Sequence, residues 1–243
     1  MKAIVIGATG QIGRQLVSAL LRCPQLKESR VSAIVRNLPE DPQSFFDATD
    51  ESISRLSLRV VSDFNTFDFS TIFDCPDKFT HAFSTLGTTL KQSPNAADYY
   101  RVDHDFPVKF ASAARAGGVP FFGIVTSMNS CSSSSFAYLK LKGDVEKDVI
   151  ALDFPSLVIL RPGFLFAEKL RDTAPWFEAL THKLFYPVVE FFFPMKYTVH
   201  IEDAAKTMLY SAIQATPGLK IIENKEIVQM ALASDQALAE NKI

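Results

Sequence analysis

Tyr138 and Lys142 stand four residues apart in Tyr138-Leu139-Lys140-Leu141-Lys142, a spacing that puts both side chains on one face of a helix. A free tyrosine titrates near ~10 and exchanges protons poorly at neutral pH, but a neighbouring ammonium favours the phenolate. Such a pair can deliver a proton to a carbonyl oxygen during reduction, or remove one in the reverse direction. Lys140, two residues from the tyrosine, points elsewhere on the helix. Ser127 directly follows the strand-like run Phe121 to Thr126, where its hydroxyl can hold the same oxygen. The plainer alternative is that Ser127 and Ser130 only begin a polar loop. Cys131 has no histidine near it in sequence and is not read as a nucleophile.

A second constellation lies at the start of the chain. Gly7-Ala8-Thr9-Gly10-Gln11-Ile12-Gly13 is a G-x-x-G-x-x-G turn between the apolar run Ala3 to Ile6 and a helical pattern from Gln11 to Arg22. Gly7 and Gly10 let the backbone turn and approach a pyrophosphate. Gly13 lets the helix pack closely on the sheet, and the helix N-terminal N–H groups face the phosphates. Gly7, Thr9, Gly10, Gln11, Ile12 and Gly13 are therefore assigned to a dinucleotide. Where an acidic residue at the end of the second strand would hydrogen-bond the ribose 2′-hydroxyl of NAD, this chain has Arg36-Asn37. A guanidinium suits a 2′-phosphate, so the cofactor expected is NADP(H). Arg14, in the first turn of the helix, is a candidate second phosphate partner.

The elements that must position these groups alternate along the chain. Strands are expected at Ala3–Ile6, Val31–Val35, Leu58–Val61, Thr80–Ser84, Phe121–Thr126, Leu157–Arg161 and Lys220–Ile222. Helices are expected at Gln11–Arg22, Asn95–Ala116, Phe136–Leu152, Glu202–Ala215 and Asn224–Glu240, and residues 37–57 read as a loop with one short helix. The first strand is apolar without alternation, as a strand covered on both faces should be. The fold class is α/β: a Rossmann-type, doubly wound parallel sheet with helices on both faces. Residues 1–243 form one domain, and 162–201, rich in Phe and Pro, form a small C-terminal substrate or lid region too short for a core of its own. Within it Trp176, Phe177, Phe185 and Tyr186 predict an apolar mouth.

Composition narrows the classes. With 243 residues, 47% apolar content and a formal net charge of -2, the chain can bury a large core and lacks the basic footprint of a nucleic-acid binder. Cys23, Cys75 and Cys131 form no metal-ligand spacing and no even-numbered framework, which fits a reducing compartment. The glycine turn begins too early to leave room for a cleavable leader, and the apolar stretch Leu184 to Pro194 contains Glu190 and two prolines, short of the ~20 residues that span a bilayer. A soluble, cytoplasmic protein is expected, with no metal, no nucleic acid and no transmembrane segment. A homodimer or a protein partner stays open.

Taken together, these residues resemble the atypical branch of the short-chain dehydrogenase/reductase superfamily. The chain is similar to the Tat-interacting-protein oxidoreductase family and its bacterial relatives. The resemblance rests on GATGQIG, Phe83-Ser84-Thr85-Leu86-Gly87-Thr88-Thr89, Val102-Asp103, Tyr138-Leu139 with Lys142-Gly143, Arg161-Pro162-Gly163 and Glu223-Asn224-Lys225. It implies that Ser127, Tyr138 and Lys142 are the catalytic serine, tyrosine and lysine. It further implies that Thr85, Leu86 and Gly87 line the adenine-side ribose, that Asp63 meets the adenine, and that Pro162 and Gly163 lie beside the nicotinamide carboxamide. Many superfamily members carry a catalytic asparagine on the helix after strand four; this chain offers Asp103 or His104.

The implied activity is NADP(H)-dependent hydride transfer to or from a small carbonyl or alcohol. Two alternatives stand beside it. One is an NADP(H)-sensing regulator with little turnover, for which the run Phe185 to Phe193 would be a partner patch. The other is an NAD(P)-retaining epimerase or dehydratase, weakened by the short region after residue 162.

Overall fold

The computed structural model describes residues 1–88, 93–166 and 197–239. Seven strands form one parallel sheet: β1 (Lys2–Ile6), β2 (Arg30–Val35), β3 (Leu56–Val60), β4 (His81–Ser84), β5 (Phe121–Val125), β6 (Ser156–Arg161) and β9 (Gly218–Glu223), in the order β3-β2-β1-β4-β5-β6-β9. The chain winds outward from β1 in one direction and then from β4 in the other. A crevice therefore opens above the carboxyl ends of β1 and β4, where such sheets take ligands. This is the doubly wound sheet anticipated from the alternation of elements.

Each strand alternates between two cores. Ala3, Val5, Val31, Ala33, Phe83 and Leu160 face Leu16, Val17 and Leu20 of α1 (Gln11–Arg22), Met208 and Ala212 of α8 (Ile201–Gln214), and Ile227 of α9 (Asn224–Ala239). Ile4, Ile6, Ile34, Phe122 and Ile159 face Phe110 and Ala114 of α6 (Phe106–Ala116) and Val145 and Val149 of α7 (Ala137–Ile150). Burial on both faces explains why the strands lack an apolar-polar alternation.

Four expectations need correction. Strand three runs Leu56–Val60 rather than Leu58–Val61, because its edge position leaves Ser57 and Val60 exposed and breaks the apolar signal. Residues 37–57 hold two short helices, α2 (Pro42–Phe45) and α3 (Asp50–Ile53), each begun by a side-chain cap from Asp41 or Thr49. A further turn, α4 (Ser70–Phe73), was not anticipated. The single helix expected over Asn95–Ala116 is α5 (Ala96–Tyr100), a π turn (Arg101–Asp105) and α6. A π turn inserts a residue without breaking the helical path, so the apolar stripe reads through it. Of the expected lid, only the ends are described: β7 (Phe164–Phe166) pairs in parallel with β8 (Thr198–His200). Trp176, Phe177, Phe185, Tyr186 and the run to Phe193 lie outside the described residues.

Candidate active site

The glycine turn is shaped by contacts no side chain could share. Gly7 has φ of 80°, and a Cβ there would stand 2.7 Å from the Leu86 nitrogen. A Cβ on Gly13 would meet the Gly7 carbonyl at 2.2 Å and Thr85 Oγ1 at 2.6 Å. The Thr85 hydroxyl lies 3.1 Å from the carbonyls of both Ile6 and Gly7, tying the end of β4 to the turn. Among the described residues no side chain caps the N-terminus of α1 at Gly10, which leaves its first N–H groups for a ligand. This cradle fits a pyrophosphate.

A cavity of about 650 Å³ runs along the sheet crevice. It brings together Gly7, Thr9, Gly10, Arg36, Asp63, Thr85, Leu86 and Gly87 of the residues singled out above. Gln11, Ile12 and Gly13 lie behind it in the first turn of α1, with Ile12 and Gly13 buried. Asp63 accepts from the Asn65 backbone at 2.9 Å and from its amide at 2.7 Å, and these bonds hold its carboxyl below the usual carboxylate range. Beside this cavity a second hollow of about 640 Å³ is lined by Thr9, Arg14, Arg36, Asn37 and Phe45. The Arg14 guanidinium sits 5.0 Å from the Phe45 ring centroid. Both arginines are exposed, and neither is ion-paired among the described residues.

On the other side of the crevice, Tyr138 lies in the first turn of α7 and is 45% exposed, while Lys142, one turn on, is 5% exposed. Ser127 follows β5 by two residues and is half-buried, and its carbonyl accepts the Ser130 hydroxyl at 2.6 Å. The loop between them folds back onto the helix. The Cys131 N–H donates to the Leu139 carbonyl at 3.0 Å, and a Cβ on Gly143 would strike the Cys131 backbone at 2.2 Å. Only glycine lets loop and helix approach so closely, and Ser127, Tyr138 and Lys142 are not among the residues that line the two hollows. Lys140 reaches Asp144 at 2.7 Å instead. Pro162 accepts from the Met128 N–H at 2.8 Å, and the Gly163 N–H donates to Asn224 Oδ1 at 2.7 Å.

Between Asp103 and His104 the structure separates the roles. Asp103 Oδ1 lies 2.5 Å from Lys142 Nζ, and Oδ2 accepts the Thr88 N–H at 2.7 Å. His104 turns outward to Asp105 at 2.9 Å and Asp148 at 3.1 Å, and stacks on Tyr100 at 4.7 Å.

Two contributors escaped sequence reasoning. Tyr99 has its phenol raised well above the ordinary range by burial, and further by the charges of Asp103 and Tyr138. Its spacing of four from Asp103 was the available signal. Glu146, four residues after Lys142 and buried, accepts from Arg161 at 2.6 and 3.0 Å and from the Thr126 hydroxyl at 2.6 Å. Arg161 also reaches Glu223 at 2.8 Å, so one network joins the ends of β5, β6 and β9 to the helix that bears Tyr138. A charged residue on the packed stripe of a helix was its only trace in sequence.

No protein-family model matches the chain. Among curated proteins it is similar to the rat protein HTATIP2, 31% identical over 233 residues that cover 95% of this chain and 89% of that one. It is also similar to the mitochondrial protein FMP52-1 of Scheffersomyces stipitis, 32% identical over 170 residues covering 70% and 69%. The mitochondrial FMP52 of Saccharomyces cerevisiae is 28% identical, over 97% of this chain and 99% of that one.

Solved structures share the fold. The oxidoreductase ylbE of Lactococcus lactis has a TM-score of 0.63 at 15% identity, over 96% of each chain. The UDP-glucuronic acid 4-epimerase of Bacillus cereus, solved with UDP-glucuronic acid and NAD, has a TM-score of 0.63 at 16% identity, over 92% of this chain and 77% of that one. The expected cytoplasmic location is overturned by the fungal relatives, which are named mitochondrial. Cysteine usage, on which the expectation rested, does not choose between two reducing compartments.

Proposed function

Because the chain belongs to the family of HTATIP2 and FMP52, within the atypical short-chain dehydrogenase/reductases, we propose that it is an NADP(H)-dependent oxidoreductase acting on a small carbonyl or alcohol. The observation that supports this reading is the placing of two neighbouring hollows along the carboxyl edge of the sheet, the larger of which has Gly87 and Thr88 in its wall. Arg14 and Arg36, without an ion pair among the described residues, stand beside Thr9 in one hollow, and in the other the Gly87–Thr88 wall lies over Lys142, on the helix that bears Tyr138.

In this proposal the open N-terminus of α1 and the Gly7–Gly10 backbone hold the pyrophosphate, while Arg14 and Arg36 hold the 2′-phosphate. Asp63, Thr85, Leu86 and Gly87 line the adenosine half, and Pro162 and Gly163 lie near the far end. When bound, the nicotinamide supplies or takes the hydride. Ser127 holds the substrate oxygen, Tyr138 gives or takes its proton, and Lys142 presents its ammonium one turn along the same helix. The mitochondrial naming of the fungal relatives supports the same compartment here, which subcellular fractionation checks.

Fluorescence titration with NADPH and NADH, followed by NADPH oxidation against a panel of carbonyl compounds, tests the reading. NADPH should bind at least about tenfold more tightly than NADH, an Arg–phosphate contribution of about 1.4 kcal/mol. Tyr138→Phe should retain NADPH affinity and lose turnover. Turnover unchanged by Tyr138→Phe would remove Tyr138 from the mechanism, and binding without turnover on any compound would favour the regulator.

A further inference from the structure

The π turn delivers a carboxylate to a buried position where both of its neighbours are hydrogen-bond donors. Asp103 is 1% exposed and Lys142 5%. One carboxylate oxygen meets Lys142 Nζ at 2.5 Å and the other accepts the Thr88 N–H at 2.7 Å. A Cβ on Gly87 would stand 3.9 Å from both Asp103 Oδ1 and Lys142 Nζ, so the wall of the crevice lies directly over the pair. An amide at position 103 would turn its NH2 toward one of two donors, and only a carboxylate accepts from both.

Among the described residues, the other ionisable groups around Lys142 are engaged elsewhere or carry no counter-charge. Tyr138 and Glu146 lie one turn to either side of it on α7. Glu146 is taken up by Arg161 and Thr126. Tyr99 on α5 interacts electrostatically with Asp103 and Tyr138. His104 is engaged by Asp105 and Asp148, and Arg101 pairs with Asp98.

We infer that Asp103 is the positioning residue for Lys142: it holds the buried ammonium and ties it to the Gly87–Thr88 wall of the cofactor crevice. The inference rests on the reading of α7 as the catalytic helix. It departs from the asparagine that many superfamily members carry, an uncharged group that could not balance a buried ammonium. An ammonium left without its carboxylate at this depth is driven toward the neutral amine by desolvation. Asp103→Asn therefore makes Lys142 easier to deprotonate and loosens the Thr88 N–H.

Two measurements on the full chain test this. Acylation of lysines by acetic anhydride at neutral pH, read by mass spectrometry with Lys140 as internal reference, should label Lys142 at least about tenfold faster in Asp103→Asn than in the parent, a ratio set by a titration shift of a unit or more. In carbonyl reduction, the alkaline limb of the turnover–pH profile should move by about one unit or more, since Asp103 sets the charge carried beside the tyrosine. A structural role alone would lower the amplitude and leave the limb in place.

Unchanged relative labelling, or a stationary limb with reduced turnover, overturns the inference. If the parent shows no turnover on any compound, labelling alone decides. Faster labelling then keeps the role of Asp103 while the proposed oxidoreductase activity falls, so the two failures are distinguishable.

Discussion

The two sides of the crevice are built on opposite electrostatic plans. On the side of β1 and β2, the groups that meet a ligand are backbone N–H groups and two exposed arginines with no acidic partner among the described residues. On the side of β5 and β6, the charges are paired and wholly or largely withdrawn from water: Lys142 with Asp103, both buried, and half-buried Arg161 with buried Glu146. Free charge can be neutralised by an incoming anion, and exposed arginines cost little while they wait. Buried charge must find its partner within the fold, and once paired it holds geometry rather than adding much net stability. One side is suited to capture a polyanion, and the other to keep α7 in register against the sheet.

Breaking a pair on the buried side should have the largest effect. Lys142→Met leaves Asp103 as an uncompensated buried carboxylate and should cost about 3–5 kcal/mol in urea unfolding. The double substitution Lys142→Met with Asp103→Leu should recover most of that loss while turnover stays absent. If the single substitution costs under about 1 kcal/mol, the pair is no better than a surface bridge and the contrast collapses.

Acid should weaken the fold at the amino end of the sheet, opposite the crevice at the carboxyl end. His81, at the amino end of β4, bonds to Thr80 Oγ1 at 2.7 Å and to the Ala212 carbonyl at 3.1 Å, and burial pushes its pKa down from 6.5 to about 4. Between those values the unfolded chain binds a proton that the folded chain refuses. Stability is therefore complete above pH 6.5 and falls by about 3 kcal/mol as pH drops to 4. His81→Gln should flatten that slope in urea midpoints measured across the window.

On the open side the effects should be smaller and seen chiefly in binding. Gly13→Ala forces a methyl onto the Gly7 carbonyl and should cost about 1–3 kcal/mol of stability, with a matching loss of NADPH affinity. Arg36→Ala should weaken NADPH about tenfold, near 1.4 kcal/mol, and leave NADH within about twofold, with no change in melting temperature. Equal loss of both nucleotides would assign Arg36 to something other than the 2′-phosphate.

Much of this architecture was legible in the residues. The glycine spacing and the uniform apolar character of Ala3–Ile6 implied a strand covered on both faces, a tight turn and a helix, because those requirements are local and each is met by residue type. Arg36 could be placed at the end of β2 by counting along a regular strand. The i,i+4 rule likewise placed Tyr138 and Lys142 on one helix face. The compartment was misjudged, since thiol usage reports redox conditions and carries no address.

What the tertiary fold alone decided is which charge meets which. Asp103 and His104 are adjacent and chemically plausible alternatives in the sequence; the π turn, invisible to an apolar stripe that reads straight through it, sends one inward to Lys142 and the other outward to Asp148. Glu146 and Arg161 are fifteen residues apart on different elements, and only the packing of α7 against the end of β6 brings them together. Helical and strand periods are properties of consecutive residues. The pairing of buried charges depends on where distant elements are packed, and desolvation then makes each such pairing exclusive.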